Sequence, residues 1–201
     1  MPRAGVGGYA WAMLYLASQS PRRRALLEQL GLSPGLLDVD VPEVRQPGEP
    51  ALDYVNRVAR EKAGAGLVKV VAAPGALVLA ADTEVILDDE VFGKPADAAD
   101  AARMLRRLAG RTHTVCTVVW LLHAGGEASA TSRSEVTFAP LDDATVDAYL
   151  ASGEWQGKAG AYAIQGRAAA FIAHLSGSYS GVMGLPLFET AALLRPHGVT
   201  I

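Results

Sequence analysis

Three consecutive arginines, Arg22–Arg24, follow Ser20 and Pro21 in the stretch ASQSPRRRALLEQLG. Ser20 is a favourable N-cap and Pro21 suits the first helical position, so a helix is predicted to begin here. The N-terminus of a helix carries partial positive charge, which makes cations in its first turn unfavourable unless an anion binds among them. Together with the hydroxyl of Ser18, the arginines predict an anion pocket. The alternative is a solvated basic turn.

Asp82 follows the apolar run of GALVLAAD, residues 75–82, which is typical of a buried central strand. We expect the carboxylate where this strand ends, because ligands of open α/β sheets bind at strand ends. A carboxylate in that place can hold a divalent cation or orient a water molecule. The alternative is an aspartate that caps the following turn. Glu43 lies in a polar loop and is either a second carboxylate of the site or a solvated acid.

Two lysines are further candidates. Lys62 continues the apolar stripe of a helix predicted over residues 50–65, so its amine either enters a cavity or extends along the helix to solvent. Lys94 precedes a proline in FGKP and is expected in an extended segment.

Gln165 ends the glycine-punctuated stretch GKAGAYAIQG, residues 157–166. Glycines permit a close approach of the backbone to a ligand, and the amide of a glutamine can donate to and accept from the edge of a base. The alternative is a surface side chain on a loop. The four histidines fit no metal-binding spacing. Cys116 lies within an apolar run, where a small core residue is expected.

The spacing of apolar residues and the residues that start or stop helices and strands predict the elements that position these side chains. Helices are predicted over residues 21–30, 50–65 and 187–194, after Asp97, and after Asp142 or Asp143. Strands are predicted over residues 13–17, 75–82, 161–166 and 168–175, with hairpins around Asp88–Asp89 and Gly125–Gly126. Strands and helices interleave while hairpins are also present, so the predicted class is α/β with a mixed, elongated β-sheet flanked by helices.

The composition limits the environment and the partners. The chain has 201 residues and a net charge of −3, which disfavours a broad nucleic-acid footprint. Its single cysteine fits a reducing cytoplasm. The first residues resemble a secretory signal peptide, but cleavage after Ala17 would separate it from Ser18 and the three arginines of the stretch ASQSPRRR. We therefore expect residues 1–12 to be an extension and residues 13–201 to form one domain without a membrane span.

Six segments occur in a fixed order: LASQSPRR, AREKA, AADTEV, GKP, GKAGAYAIQG and GSYSGVMGLPL. Together they resemble the Maf family of nucleoside triphosphate pyrophosphatases over residues 13–195. The KAGAY-IQG pattern resembles the branch that hydrolyses dTTP and UTP. The resemblance implies hydrolysis of a nucleoside triphosphate to the monophosphate and pyrophosphate, with Mg²⁺ or Mn²⁺ as cofactor and with two lobes around a central cleft.

The resemblance also implies roles for single residues. Asp82 is implied as the catalytic carboxylate and a metal ligand, with Glu43 as a second candidate ligand. Pro42 stands where many members of the family have another acid, so Glu43 departs from a paired-carboxylate pattern. Base selectivity is implied for Arg23, Thr83 and Gln165. Contacts with the triphosphate are implied for Ser18, Arg22, Lys62 and Lys94.

The expected partners are the nucleotide substrate and a second copy of the chain, with neither nucleic acid nor a membrane. A non-catalytic nucleotide sensor linked to the arrest of cell division is the alternative. Such a sensor would need the arginines and Gln165 but not Asp82 or a metal. A module that binds nucleic-acid phosphates is disfavoured by the acidic charge and the few aromatic residues.

Overall fold

The computed structural model describes residues 13–201, and the expected extension over residues 1–12 lies outside this range. Seven strands of this range form one sheet in the order β2-β1-β3-β5-β6-β7, with β4 beside β3. The strands are β1 Met13–Ala17, β2 Gly35–Leu37, β3 Ala76–Leu87, β4 Glu90–Phe92, β5 Thr112–His123, β6 Gly126–Phe138 and β7 Ile172–Ser176. β1 pairs in parallel with β2 and β3, and the other pairs are antiparallel. The predicted mixed α/β class is confirmed.

Helices flank this sheet. They are α1 Pro21–Gln29, α2 Ala51–Lys69, α3 Ala98–Leu108, α4 Asp143–Ala151, α5 Tyr179–Met183 and α6 Leu187–Leu194. The predicted caps of α3 and α4 are confirmed, because the side chains of Asp97 and Asp142 accept hydrogen bonds from backbone N–H groups three residues later. Within residues 13–201 no helix combines the length and the apolarity needed to cross a membrane.

Three predictions about local structure are wrong. The strand predicted over residues 168–175 begins only at Ile172, because Arg167–Phe171 form a 3₁₀ helix. Asp82 does not end a strand: β3 continues to Leu87, because the alternating residues after Asp82 pair with β5 on one side and then with β4 on the other. Residues 161–166 form no strand. The 3₁₀ turn Ala159–Ala161 overlaps the start of this range. Gly160 and Ala161 have left-handed φ angles, which are incompatible with an extended strand.

The core is divided by the sheet. The largest buried cluster packs α3 and α4 against the ends of β3, β5 and β6, with Phe138 and Leu105 at its centre. Smaller clusters lie under α1 and α6 on one face and under α2 on the other. Cys116 is fully buried under α2, as expected of a core residue.

One stretch of β3 has no neighbouring strand on one of its sides within residues 13–201. β1 pairs with β3 only as far as Leu79, and β4 begins to pair at Val85. Residues 80–84 therefore form an open edge in the interior of the sheet, although β5 pairs along their other side. Because side chains alternate along a strand, this edge presents Asp82 and Glu84 on the α2 face and Thr83 on the opposite face.

Candidate active site

A cavity of about 890 Å³ opens along this edge of β3. Its walls come from the turn between β1 and α1, the loop before α2, the segment of residues 157–165 and the end of α5. All the side chains singled out in the sequence line it: Ser18, Arg22, Arg23, Glu43, Lys62, Asp82, Thr83, Lys94 and Gln165. The fold thus brings together residues that are up to 147 positions apart in the chain.

Lys62 connects α2 to β3. Its position on the inward stripe of α2 points the side chain at the sheet, and only 8% of the residue is exposed. The ammonium donates to Asp82 Oδ1 at 2.7 Å and to Glu43 Oε1 at 2.6 Å. Lys62 therefore does not extend to solvent, which was the alternative. It joins two carboxylates instead.

Glu43 is held by two lysines. Lys62 donates to one of its oxygens and Lys94 to the other. Burial raises the pKa of Glu43, but the hydrogen bonds and charges of the two lysines outweigh it and lower that pKa to about 2. We call the series Lys94, Glu43, Lys62 and Asp82 the lysine–carboxylate chain. Both oxygens of Glu43 are engaged in it, and the role of Glu43 as a metal ligand stays a prediction.

The arginines at the start of α1 diverge. Arg23 donates through Nε to the carbonyl oxygen of Gly184 at 2.8 Å. Its two terminal nitrogens donate to Ser18 Oγ at 3.3 Å and to Thr83 Oγ1 at 3.2 Å. Arg22 donates to the carbonyl oxygen of Met183 at 3.4 Å. All these acceptors are neutral.

Arg24, by contrast, points away from the cavity. It forms an exposed ion pair with Glu28, one helical turn further along α1, at 2.7 Å. Burial lowers the pKa of Arg23, and burial together with the charge of Arg23 lowers the pKa of Arg22. A bound anion would raise the pKa of both guanidinium groups again, because opposite charge favours their protonated form. The first turn of α1 thus contributes two of its three arginines to an anion site.

A chain of hydroxyl groups fixes Thr83 behind Arg23. Thr117, on β5, is fully buried and donates to the carbonyl oxygen of Gly181 at 2.7 Å. Thr83 lies opposite Thr117 in the sheet, with its oxygen 2.8 Å from Thr117 Oγ1. Since the Thr117 proton is used for Gly181, Thr83 donates to Thr117 and accepts from Arg23. The sequence analysis missed Thr117, whose signal was a single hydroxyl inside the apolar run VCTVVW.

Glu84 is the second residue, after Thr117, that the sequence analysis missed. It lies two positions after Asp82, on the same face of β3, and is 6% exposed. Burial, followed by the negative charges of Asp82 and Glu43, raises the pKa of Glu84 well above its ordinary value. A charged residue inside an otherwise apolar strand was the signal that could have found it. Four acidic residues among those described therefore line the cavity: Asp40, Glu43, Asp82 and Glu84.

Residues 157–165 form the wall opposite the arginines. Gly160 has a φ of +66°, and a Cβ atom there would lie 2.8 Å from a methyl group of Val85, so only glycine permits this close approach. The segment carries Lys158, another lysine lining the cavity, whose pKa is lowered by burial and by the charge of Arg22. Gln165 lies at the exposed rim of the cavity.

The carboxylates fit a divalent cation that binds together with a phosphate ligand. Within residues 13–201 no three His, Cys, Asp or Glu side chains form a metal-binding cluster. Asp82 Oδ2, however, is buried and has no hydrogen-bond partner among the described residues. Mg²⁺ commonly takes one or two protein carboxylates and completes its shell with water and phosphate oxygens. The donor set thus suits a cation whose remaining ligands come from a nucleotide and solvent.

Known proteins are similar to this chain over most of its length. The family model described as "Maf-like protein" matches residues 13–197. The chain is 60% identical over 188 residues to the dTTP/UTP pyrophosphatase of Xanthomonas euvesicatoria pv. vesicatoria (strain 85-10), covering 92% of this chain and 99% of that protein. It is 56% identical over 183 residues to the nucleoside triphosphate pyrophosphatase of Xylella fastidiosa (strain M23), covering 90% of this chain and 97% of that protein.

Among solved structures, the nucleoside-triphosphatase / dITP/XTP pyrophosphatase of Mycobacterium abscessus is similar over 64% of this chain and 74% of that protein. The identity is 21% and the TM-score 0.41, which is too distant to inform the site.

Proposed function

The chain belongs to the Maf family, and we propose that it hydrolyses dTTP and UTP to the nucleoside monophosphate and pyrophosphate. One observation carries the proposal. Among residues 13–201, a buried carboxylate oxygen of Asp82 has no partner, and it lies in the same cavity as two arginines that donate only to neutral groups. A cavity of about 890 Å³ lies within the range of small-molecule sites, about 300–1,000 Å³, and accommodates a nucleotide.

The arginines bind the triphosphate. Arg22 and Arg23 offer planar guanidinium groups that can donate two hydrogen bonds to one phosphate. Their present acceptors are carbonyl and hydroxyl oxygens, so no carboxylate competes for them. Lys158, on another wall of the cavity, supplies further positive charge, whereas the charge of Lys94 is matched by Glu43.

Asp82 accepts the proton of the attacking water. Lys62 donates to Asp82 Oδ1, which fixes the orientation of the carboxylate and leaves Oδ2 without a partner among the described residues. The water oxygen bonds to the α-phosphorus, its proton passes to the carboxylate of Asp82, and the bond from the α-phosphorus to the bridging oxygen breaks, so that pyrophosphate leaves. Mg²⁺ or Mn²⁺, held by Asp82 and phosphate oxygens, would neutralise charge that otherwise repels the incoming water.

Base selection is assigned to Thr83, Arg23 and Gln165. The hydroxyl chain behind Thr83 gives this residue one orientation, while the amide of Gln165 can match the carbonyl and N–H on one edge of a pyrimidine. A site built for such hydrogen bonds rejects bases that leave its polar groups unpaired. UTP and dTTP are therefore expected to be better substrates than ATP and GTP.

The test is hydrolysis of UTP by the purified full chain with Mg²⁺ in ¹⁸O-labelled water. We expect UMP and pyrophosphate in equal amounts, with the label in UMP. Label in orthophosphate, with UDP accumulating, would identify a phosphatase and refute attack at the α-phosphate. Tight binding of UTP without any product would indicate the nucleotide sensor. A substrate panel in which ATP is hydrolysed best would contradict the assignment of the base site.

A further inference from the structure

Glu84 shares its surroundings with Asp82. Residues two apart on a strand project from the same face and lie about 7 Å apart along it. Both side chains line the cavity, and both residues are less than one-tenth exposed. Asp82 and Glu84 therefore face the same cavity from the same side of β3.

Each of these two carboxyl groups has a buried oxygen without a partner among the described residues. Asp82 Oδ2 and Glu84 Oε2 are buried and have no hydrogen-bond partner among residues 13–201. A buried oxygen without a partner loses the hydrogen bonds that water would supply, so it needs a ligand in the working protein. The third carboxylate, Glu43, differs because the two lysines occupy both of its oxygens.

We propose that Glu84, together with Asp82, holds the divalent cation that accompanies the nucleotide. This inference rests on the proposed function, since phosphate oxygens and water supply the other ligands. A cation between the two free oxygens satisfies both and removes the repulsion between the carboxyl groups. Glu43 then acts differently: it holds Lys62 and Lys94 in place and does not bind the metal.

Two protein ligands make a weak site alone, because Mg²⁺ and Mn²⁺ prefer about six oxygen ligands. The cation should therefore bind the free protein weakly and the nucleotide complex tightly.

The test measures Mn²⁺ binding directly, from the electron paramagnetic resonance signal of free Mn²⁺. The full-length protein is saturated with a UTP analogue that has an imido group between the α and β phosphates, so that the α–β bond is not hydrolysed. Glu84→Gln should weaken Mn²⁺ binding to this complex at least about tenfold, the lower range for a disturbed metal site. Affinity for the analogue in EDTA should stay within about twofold.

Glu127→Gln is the matched control, because Glu127 forms an exposed ion pair with Arg60 and does not line the cavity. This control should bind Mn²⁺ like the wild type. If Glu84→Gln fails to fold, Glu84→Asp takes its place: it keeps the charge but withdraws the carboxylate by one methylene, and should also weaken Mn²⁺ binding.

Unchanged Mn²⁺ affinity in a folded Glu84 variant would overturn the inference. Hydrolysis of UTP by the wild type would then still support the proposed function. Conversely, a wild type that binds Mn²⁺ with the analogue but releases no pyrophosphate from UTP would refute the function and leave the metal assignment in place.

Discussion

On one side of the cavity Arg22 and Arg23 donate only to neutral oxygens, whereas on the other Lys62 and Lys94 donate to carboxylates. In the lysine–carboxylate chain two positive charges meet two negative charges and cancel. On the arginine side, Arg22 and Arg23 form no ion pair within residues 13–201, although nearby carboxylates act on Arg23 at longer range, so both guanidinium groups remain available to an anion. Residues of the same charge therefore have separate roles in this cavity. The arginines supply affinity for the nucleotide, and the lysines hold the carboxylates in position.

The largest expected effect concerns the arginine side. Replacing both Arg22 and Arg23 by Ala removes charge-assisted hydrogen bonds worth about 1.5–3 kcal/mol each, so the Kd for the imido UTP analogue should rise at least about 100-fold. Calorimetric titration measures this Kd. Arg24→Ala is the control from the same helical turn, and it should bind normally because Arg24 pairs with Glu28 outside the cavity. Equal effects of the two changes would remove the distinction between the arginines.

Asp82→Asn should separate turnover from binding. The variant keeps the shape of the side chain but loses the proton acceptor, so kcat for UTP should fall at least about 100-fold. The Kd for the analogue should change little in EDTA, because the phosphates contact the arginines. Pyrophosphate release measures kcat, and Asp147→Asn, exposed on α4, is the control. Near-normal turnover would show that another group accepts the proton.

Thr117→Val tests whether nucleotide binding by the arginines depends on the buried hydroxyl of Thr117. The change breaks the hydroxyl chain behind Thr83 and Arg23, at a cost of about 1 kcal/mol, so the Kd for the analogue should rise about fivefold. The preference for UTP over ATP should also decrease, as measured by kcat/KM for both. Thr117→Ser restores the hydroxyl and should restore both values. A variant that only lowers the melting temperature would limit Thr117 to a role in folding.

The smallest effect is expected on the lysine side. Lys94 is 57% exposed and its charge is already matched by Glu43. Exposed ion pairs contribute about 0.2–1 kcal/mol, so Lys94→Met should raise the Kd for the analogue less than about fivefold. Added salt should reduce this small effect further. A loss as large as that of the arginine pair would contradict the comparison between the two sides.

The parts of the fold that depend on neighbouring residues could be predicted from the sequence. Asp97 and Asp142 cap helices through bonds that span three residues. The hairpin at Asp88–Asp89 turns where both residues have positive φ, a conformation that aspartate tolerates. The inward direction of Lys62 followed from the helical period.

The parts that depend on distant contacts could not be predicted. Asp82 lies in mid-strand because β5 pairs with β3 before and after it and β4 pairs with the end of β3, which no local pattern reveals. Residues 161–166 have the side chains of a strand, but contact between Gly160 and Val85 and two positive φ angles override that preference. The bond from Lys62 to Asp82 depends on how α2 packs on β3.

The open edge of β3 also bears on solubility. Unpaired strand edges invite another chain to add a strand, which is a common route to aggregation. Here the open stretch is only residues 80–84, bounded by the end of β1 and the start of β4. A foreign strand would collide with both before it could form a ladder. The protein can therefore turn backbone N–H and C=O groups toward a small ligand without offering a template to its own copies.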